Sequence, residues 1–212
     1  MPTTPLPCDP FNIIITGVGG QGNVMASRVL GNMLARRGLR VTIGETFGAS
    51  QRGGSVMSHL RVSARAIWSP QIPRGRCDLL IALEPTEALR VLALYGHPGT
   101  IVLCNTRPVH AIGVICGAQA YPRLEELKSW IRELCGSAWF LDATEKARAL
   151  GNPILGNSIM IGAAAASGSP PLSREDFEAV MARGLAADKL QANLKAFDVG
   201  FEMAADPERW KQ

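Results

Sequence analysis

Two stretches of the chain carry residue types whose spacing could do chemistry. The first is Gly17-Val-Gly-Gly-Gln-Gly22, in which Gly17, Gly19 and Gly22 fit G-x-G-x-x-G. It follows a run rich in β-branched residues, Phe11 to Thr16, and precedes a helical pattern. In that setting glycines let the backbone approach a phosphate, and the helix N-terminus offers unpaired N–H groups and the positive end of its dipole. In a nicotinamide site an acidic residue about twenty positions on would take a ribose hydroxyl. Glu45 stands 23 residues past Gly22. The same turn also serves as a tight strand-to-helix connection that holds no ligand, and the residues leave both readings open.

The second stretch runs from Glu45 to Arg61 and contains Ser50-Gln51-Arg52-Gly53-Gly54. Its density of Ser, Gln, Arg and Gly supplies donors that could clasp an anionic group, with Arg52 the sharpest candidate. The other reading is a solvated loop. His59 stands alone on an alternating pattern, where a packed structural histidine is the commoner outcome than a base. His97 and His110 lie elsewhere, so no metal cluster forms around it. The five cysteines, at 8, 77, 104, 116 and 135, include no Cys-x-x-Cys pair. A disulfide framework, a zinc ribbon and an iron–sulfur cluster are therefore not expected. The cysteines read mostly as buried small hydrophobes. No residue is assigned as catalytic, and none as a metal ligand.

The elements that must position these residues follow from periodicity. Apolar residues at 24, 25, 29, 30, 33 and 34 predict a helix from Asn23 to Arg37, stopped by Gly38. With strands at 11–16 and 39–43 this reads as one βαβ unit. Glu45 to Gly54 reads as a loop, Val56 to Val62 as a strand, and Ala66-Ile-Trp68 as a strand that could pair with it. Further strands are expected at 79–83, 100–104 and 139–141, and helices at 86–94, 123–135 and 143–150. Asn157 to Ser167 is a small-residue helix, apolar nearly all round, which packs inside the chain or docks a partner subunit. Ser173 and Asp176 fit a helix-capping pattern. A last long helix covers 189–200. The alternation predicts an α/β fold: a Rossmann-like, doubly wound, mostly parallel sheet with helices on both faces and a helical C-terminal part. The expected divisions are a Pro-rich extension at 1–10, a Rossmann-like domain at 11–150 and a helical part at 151–212.

Composition narrows the function classes. Apolar residues make up 47% and charged residues 19%, enough for a real core and against disorder. The net charge of +4 comes from scattered basic residues, and 6% aromatics do not interleave with them, so nucleic acid is not an expected partner. No run of roughly 18 apolar residues predicts a membrane span. The opening Met1-Pro-Thr-Thr-Pro lacks the basic start and apolar run of a secretory signal, and a cytoplasmic location is expected.

Taken together, the glycine turn, Gly44-Glu45, the Ser50-Gln-Arg-Gly-Gly-Ser-Val56 loop, Ser58-His59, Arg61, Asp78-Leu-Leu-Ile-Ala-Leu-Glu84-Pro with Glu87-Ala88, and Asn105 resemble the gamma-type subunit of 2-oxoacid:ferredoxin oxidoreductases. The tail, with Asn152-Pro, Asn157, Gly162-Ala163 and Asn193 to Gly200, is most similar to the beta subunit of indolepyruvate oxidoreductases. The resemblance spans about residues 11–200. It implies a subunit of a complex that oxidatively decarboxylates a 2-oxoacid of the arylpyruvate kind and passes electrons to ferredoxin. Thiamine diphosphate, magnesium and the iron–sulfur clusters are then expected in an alpha subunit, because this chain has neither the Gly-Asp-Gly…Asn motif nor cluster cysteines. In coenzyme A-dependent relatives the equivalent domain is implicated in holding coenzyme A. That role carries over to Gly19, Gly20, Gln21, Ser50, Gln51 and Arg52, at the subunit interface. Two other classes compete: a free-standing dinucleotide-binding module with Glu45 on a ribose, and an adenylating enzyme of the ubiquitin-activating type, which opens with a similar turn.

Overall fold

A computed structural model describes residues 6–48, 54–110 and 112–205 of the chain. Six strands form one sheet: β1 (Phe11–Val18), β2 (Arg40–Phe47), β3 (Ser55–Ser63), β4 (Leu79–Ala82), β5 (Ile101–Asn105) and β6 (Ser137–Leu141), in the order β2-β3-β1-β4-β5-β6. β1 pairs parallel with β4, and β5 parallel with β4 and β6. β3 runs antiparallel to both β1 and β2. The sheet is thus mostly parallel, as the alternation of elements predicts. All eight residues of β1 are buried, as a central strand covered on both faces requires.

Alternate residues of β1 feed two cores. Ile13 and Ile15 pack under α1 (Asn23–Arg36), α5 (Ala143–Ala149), α6 (Gly156–Ala166), α7 (Arg174–Met181) and α8 (Ala187–Ala204). Ile14 and Leu80 face α2 (Pro85–Tyr95) and α4 (Leu124–Glu133). A short α3 (Ile112–Ile115) completes the helices. The expected stops and caps are in place. Gly38 takes a φ of +80° just past α1, and its N–H bonds the Ala35 carbonyl at 3.0 Å. The Ser173 hydroxyl accepts the Asp176 N–H ahead of α7.

Four readings need correction. First, β2 runs on to Phe47, so Glu45 lies inside a strand rather than at the start of a loop. Gly44 misleads there: its missing side chain makes room for Pro70, whose Cβ lies 2.7 Å from where a Gly44 Cβ would stand. Second, β1 and β2 are not neighbours, because β3 inserts between them. Third, Ala66 to Trp68 form no strand. Both edges of β3 are already taken, and Trp68 instead covers the Arg61 guanidinium at 4.9 Å. Fourth, only Cys77 and Cys104 are buried; Cys135 is half-buried, and Cys8 and Cys116 are exposed.

α6 packs inside the chain, not against a partner. Its residues Ser158 to Ala165 are all buried, chiefly by α8. The two helices approach through Gly162 and Gly200. A Cβ on Gly200 would fall within the van der Waals envelope of the Ile159 carbonyl oxygen. Gly200→Ala is expected to lower stability by about 2–3 kcal/mol, the upper part of the overpacking range. Gly184→Ala, where nothing lies within 4 Å, should stay within about 0.5 kcal/mol. Urea midpoints at unchanged slope check both.

Candidate functional site

The glycine turn leaves β1 at the crevice between β1 and β4. Here the chain departs to opposite faces of the sheet, through α1 from β1 and through α2 from β4. Ligands in open α/β sheets settle at such switch points. The crevice is bridged by a side chain. Gln21 Oε1 accepts the Val18 N–H at 2.7 Å, and Gln21 Nε2 donates to the Leu83 carbonyl at 3.0 Å. Asn105 Nδ2 donates to the same carbonyl at 3.1 Å and to the Thr144 hydroxyl at 2.9 Å. From α6, Asn157 Nδ2 donates to the Gln21 carbonyl at 3.0 Å. One polar line therefore runs along the carboxyl edge of β1, β4, β5 and β6.

This line explains the glycines. A Cβ on Gly17 would lie 2.6 Å from Gln21 Oε1, and one on Gly22 2.5 Å from Asn157 Nδ2. Gly20 and Gly22 have φ of +103° and +84°, where other L residues are strained. No side chain caps α1, so its first N–H groups lack an intrahelical partner. They border a cleft of about 270 Å³ lined by Gly19, Gly20, Asn23, Val24 and Phe47, among others. That arrangement fits a phosphate or carboxylate oxygen. The Gln21 amide, by contrast, is already spent within the fold.

The donor-rich loop meets the turn. The Gly19 N–H donates to the Gly54 carbonyl at 2.8 Å, and the Gly48 N–H to the Ser55 carbonyl at 2.8 Å. The Ser55 hydroxyl donates to Glu87 Oε2 at 2.6 Å. Both stems are thereby fastened beside the turn. Ser50, Gln51, Arg52 and Gly53 lie outside the described residues. Glu45 is set apart: its register Glu45–Ser58–Ile15 puts two strand spacings, roughly 10 Å, between it and β1. The insertion of β3 removes the adjacency on which the ribose reading depends.

Two buried carboxylates anchor this edge, and neither was singled out for a role by spacing. Glu84 is fully buried and caps α2, accepting the Glu87 N–H at 2.9 Å, the Thr86 hydroxyl at 2.6 Å and the Tyr121 hydroxyl at 2.5 Å. Burial and this carboxylate push the Tyr121 hydroxyl up, so it stays a donor. Burial also raises Glu87, against the pull of Ser55 and Arg90. The sequence signal was present for Glu84: an acid directly before proline after an apolar strand is a helix-cap pattern. His59 is buried, accepts the Ile72 N–H at 3.4 Å and meets Tyr95 edge-on, and burial holds it below the ordinary histidine range. Among the described residues no three His, Cys, Asp or Glu gather as a metal site. No described helix is long and apolar enough to cross a membrane.

Comparison with known proteins adds relatives. The sequence matches the family described as pyruvate ferredoxin/flavodoxin oxidoreductase over residues 12–203. An indolepyruvate oxidoreductase subunit IorB of Thermococcus kodakarensis is 35% identical over 197 residues, which cover 92% of this chain and 96% of that protein. A 2-oxoglutarate synthase subunit KorC of Archaeoglobus fulgidus is 30% identical over 192 residues, covering 91% and 87%. Solved structures share the fold. A pyruvate oxidoreductase subunit PORC from Thermotoga maritima has a TM-score of 0.68 at 20% identity, over 92% of this chain and 97% of that one. A 2-oxoglutarate:ferredoxin oxidoreductase from Magnetococcus marinus, with 2-oxoglutarate, coenzyme A and succinyl-CoA bound, has a TM-score of 0.73 at 22% identity. It matches over 94% of this chain but only 32% of that larger one.

Two outcomes follow from the carboxyl edge. Gln21→Ala leaves the buried Val18 N–H unpaired and is expected to cost about 1–3 kcal/mol, read from the urea midpoint. Glu87→Gln tests the buried charge. Because the folded pKa lies above the unfolded one, the charge costs stability in full at neutral pH. That cost is relieved as pH falls through the folded value toward about 4.3, the unfolded one. The variant's midpoint should therefore exceed the parent's at pH 7.5, with a smaller gain at pH 4.5. A gain independent of pH refutes this account.

Proposed function

This chain belongs to the pyruvate ferredoxin/flavodoxin oxidoreductase family, and on that premise we propose that it is the non-cofactor subunit of a 2-oxoacid:ferredoxin oxidoreductase acting on indolepyruvate or another arylpyruvate. Its partner is an alpha subunit that bears thiamine diphosphate, magnesium and iron–sulfur clusters, and ferredoxin takes the electrons through the complex. The setting is cytoplasmic. Identity of about a third along nearly the whole length of IorB subunits supports the substrate class.

One observation carries the reading of the site: the Gly19–Gly54 hydrogen bond of 2.8 Å, which fastens the donor-rich loop to the glycine turn. The loop's described stems, Gly48 and Gly54, are rooted there, beside the uncapped start of α1, and the anion-clasping role goes to Arg52 with the neighbouring Ser50, Gln51 and Gly53 by residue type. Gly19 and Gly20 keep that approach open, while Gly17 and Gly22 make room for the Gln21 and Asn157 side chains beside it. The pair of motifs would order an anionic group, coenzyme A where it is used, at one wall of the partner's site, and would exclude water from it. Gln21 holds the turn in shape. Three exposed apolar side chains, Met25 at 62%, Phe47 at 60% and Ile154 at 73%, border the clefts at this same end. They suit a face that a companion subunit covers. The thiamine and cluster chemistry comes from the partner; this chain orients and encloses.

Co-purification from the native host, with metal and thiamine analysis of the complex, tests the assignment. Decarboxylation by the single chain, or failure to find any cofactor-bearing companion, overturns it. Arg52→Ala should reduce the activity of the reconstituted complex ten- to a hundred-fold, about 1.5–3 kcal/mol for a charge-assisted hydrogen bond. The melting temperature of the isolated subunit should not move. Full activity in that variant sinks the role of the loop.

A further inference from the structure

A second cavity opens on the other side of Gln21, at the carboxyl ends of β4, β5 and β6, and measures about 350 Å³. Two cations reach its wall: Arg107, from the segment after β5, and Arg148, from α5. Both guanidiniums lean on one oxygen, Glu145 Oε1, at 3.4 and 2.8 Å. Each is about half exposed, at 47% and 48%, so the contacts are individually weak. They hold two forks side by side while two positive charges share one negative. The residues that line the cavity include no Asp or Glu. Thr144 adds a hydroxyl that already accepts the Asn105 amide, which leaves its proton to donate. The remaining wall is largely apolar, with Val109 and Met160 facing the arginines' cavity.

We propose that this cavity binds an organic anion, its carboxylate or phosphate held between Arg107 and Arg148 and its apolar body laid against Val109 and Met160. Planar guanidinium forks match both anion types with paired hydrogen bonds. An apolar cavity with a few convergent polar groups at a sheet's carboxyl edge is the usual form of a small-molecule site. An inorganic ion would satisfy the arginines but leave the apolar wall wet. A neutral apolar molecule would cover the wall and strip water from the guanidiniums without replacing it. Only a molecule with both parts answers the whole lining. The site uses none of residues 49–53, so it stands apart from the role assigned to that loop.

Calorimetric titration of the full chain with phenyl phosphate, phenylacetate and inorganic phosphate tests the proposal. At least one aromatic anion should bind with a Kd of about 1 mM or tighter, and at least tenfold more tightly than inorganic phosphate. Which of the two binds identifies the headgroup. Arg107→Ala and Arg148→Ala should each weaken that binding at least tenfold at unchanged melting temperature. Failure of both aromatic anions to bind overturns the proposal, as does binding indifferent to the two substitutions. Loss of the cofactor-bearing companion in an Arg107→Glu, Arg148→Glu double variant, without aromatic-anion binding by the parent, also overturns it. That result gives the pair to a protein interface instead.

Discussion

Everything at the functional end of this molecule depends on how one crevice is closed. β1 and β4 lie side by side, yet the chain leaves them toward opposite faces, so their last backbone groups part instead of pairing. An unpaired buried amide costs about 1–3 kcal/mol. Gln21 supplies both missing partners from a single side chain, taking the Val18 N–H and giving to the Leu83 carbonyl. The glycines then follow as consequences. Gly17 yields its side-chain volume to the Gln21 carboxamide, and Gly22 yields its own to Asn157 from α6. A fingerprint shared with dinucleotide sites is thus built first around a piece of the protein itself, with the helix start left open beside it.

The antiparallel β3 decides what that open start can face. In a plain βαβ unit β2 would neighbour β1 and bring its acidic residue to the turn. Here β3 occupies that place and moves Glu45 a further strand away. The same insertion makes β2 and β3 a hairpin, and its connection must emerge at the carboxyl end of β1. Gly54 and Ser55 then reach Gly19 and Glu87. One topological change sets Glu45 apart from the turn and brings Gly54 to it.

Much of the fold was legible because its signals are local. A β-branched run marked β1, apolar runs marked β4 and β5, Gly38 marked the end of α1, and the apolar stripe of 123–135 marked α4. Pairing partners are not local, and there the reading failed. Nothing in residues 55–63 states that both edges of that strand are occupied, so Ala66 to Trp68 looked like a strand that could pair with it. Gly44 looked like a loop residue because the Pro70 that crosses over it lies far along the chain. At the site, the turn glycines were legible, because a positive φ or a missing Cβ has one dominant residue type. Asn105 and Asn157 entered only through the family resemblance, without a role, and Thr144 not at all, because an asparagine or threonine at an element end has many uses until its partner is known. Arg107 and Arg148 are separated by forty residues and meet only through Glu145.

The ionisable groups of the carboxyl edge divide by burial, and the division limits what this chain can contribute to a reaction. Glu84, Glu87 and Tyr121 are engaged in hydrogen bonds that hold α2 and the loop stems in place. His59 is enclosed at mid-sheet, where burial holds it below the ordinary histidine range. A group committed in this way cannot exchange a proton with a bound molecule without loosening the element that it anchors. What the edge presents to its clefts is instead a set of donors: helix N–H groups, guanidiniums and a threonine hydroxyl. Donors without a free base stabilise and orient negative charge. On the function proposed above, proton and electron transfer belong to the companion subunit, and the role left to this chain is to fix where an anion sits.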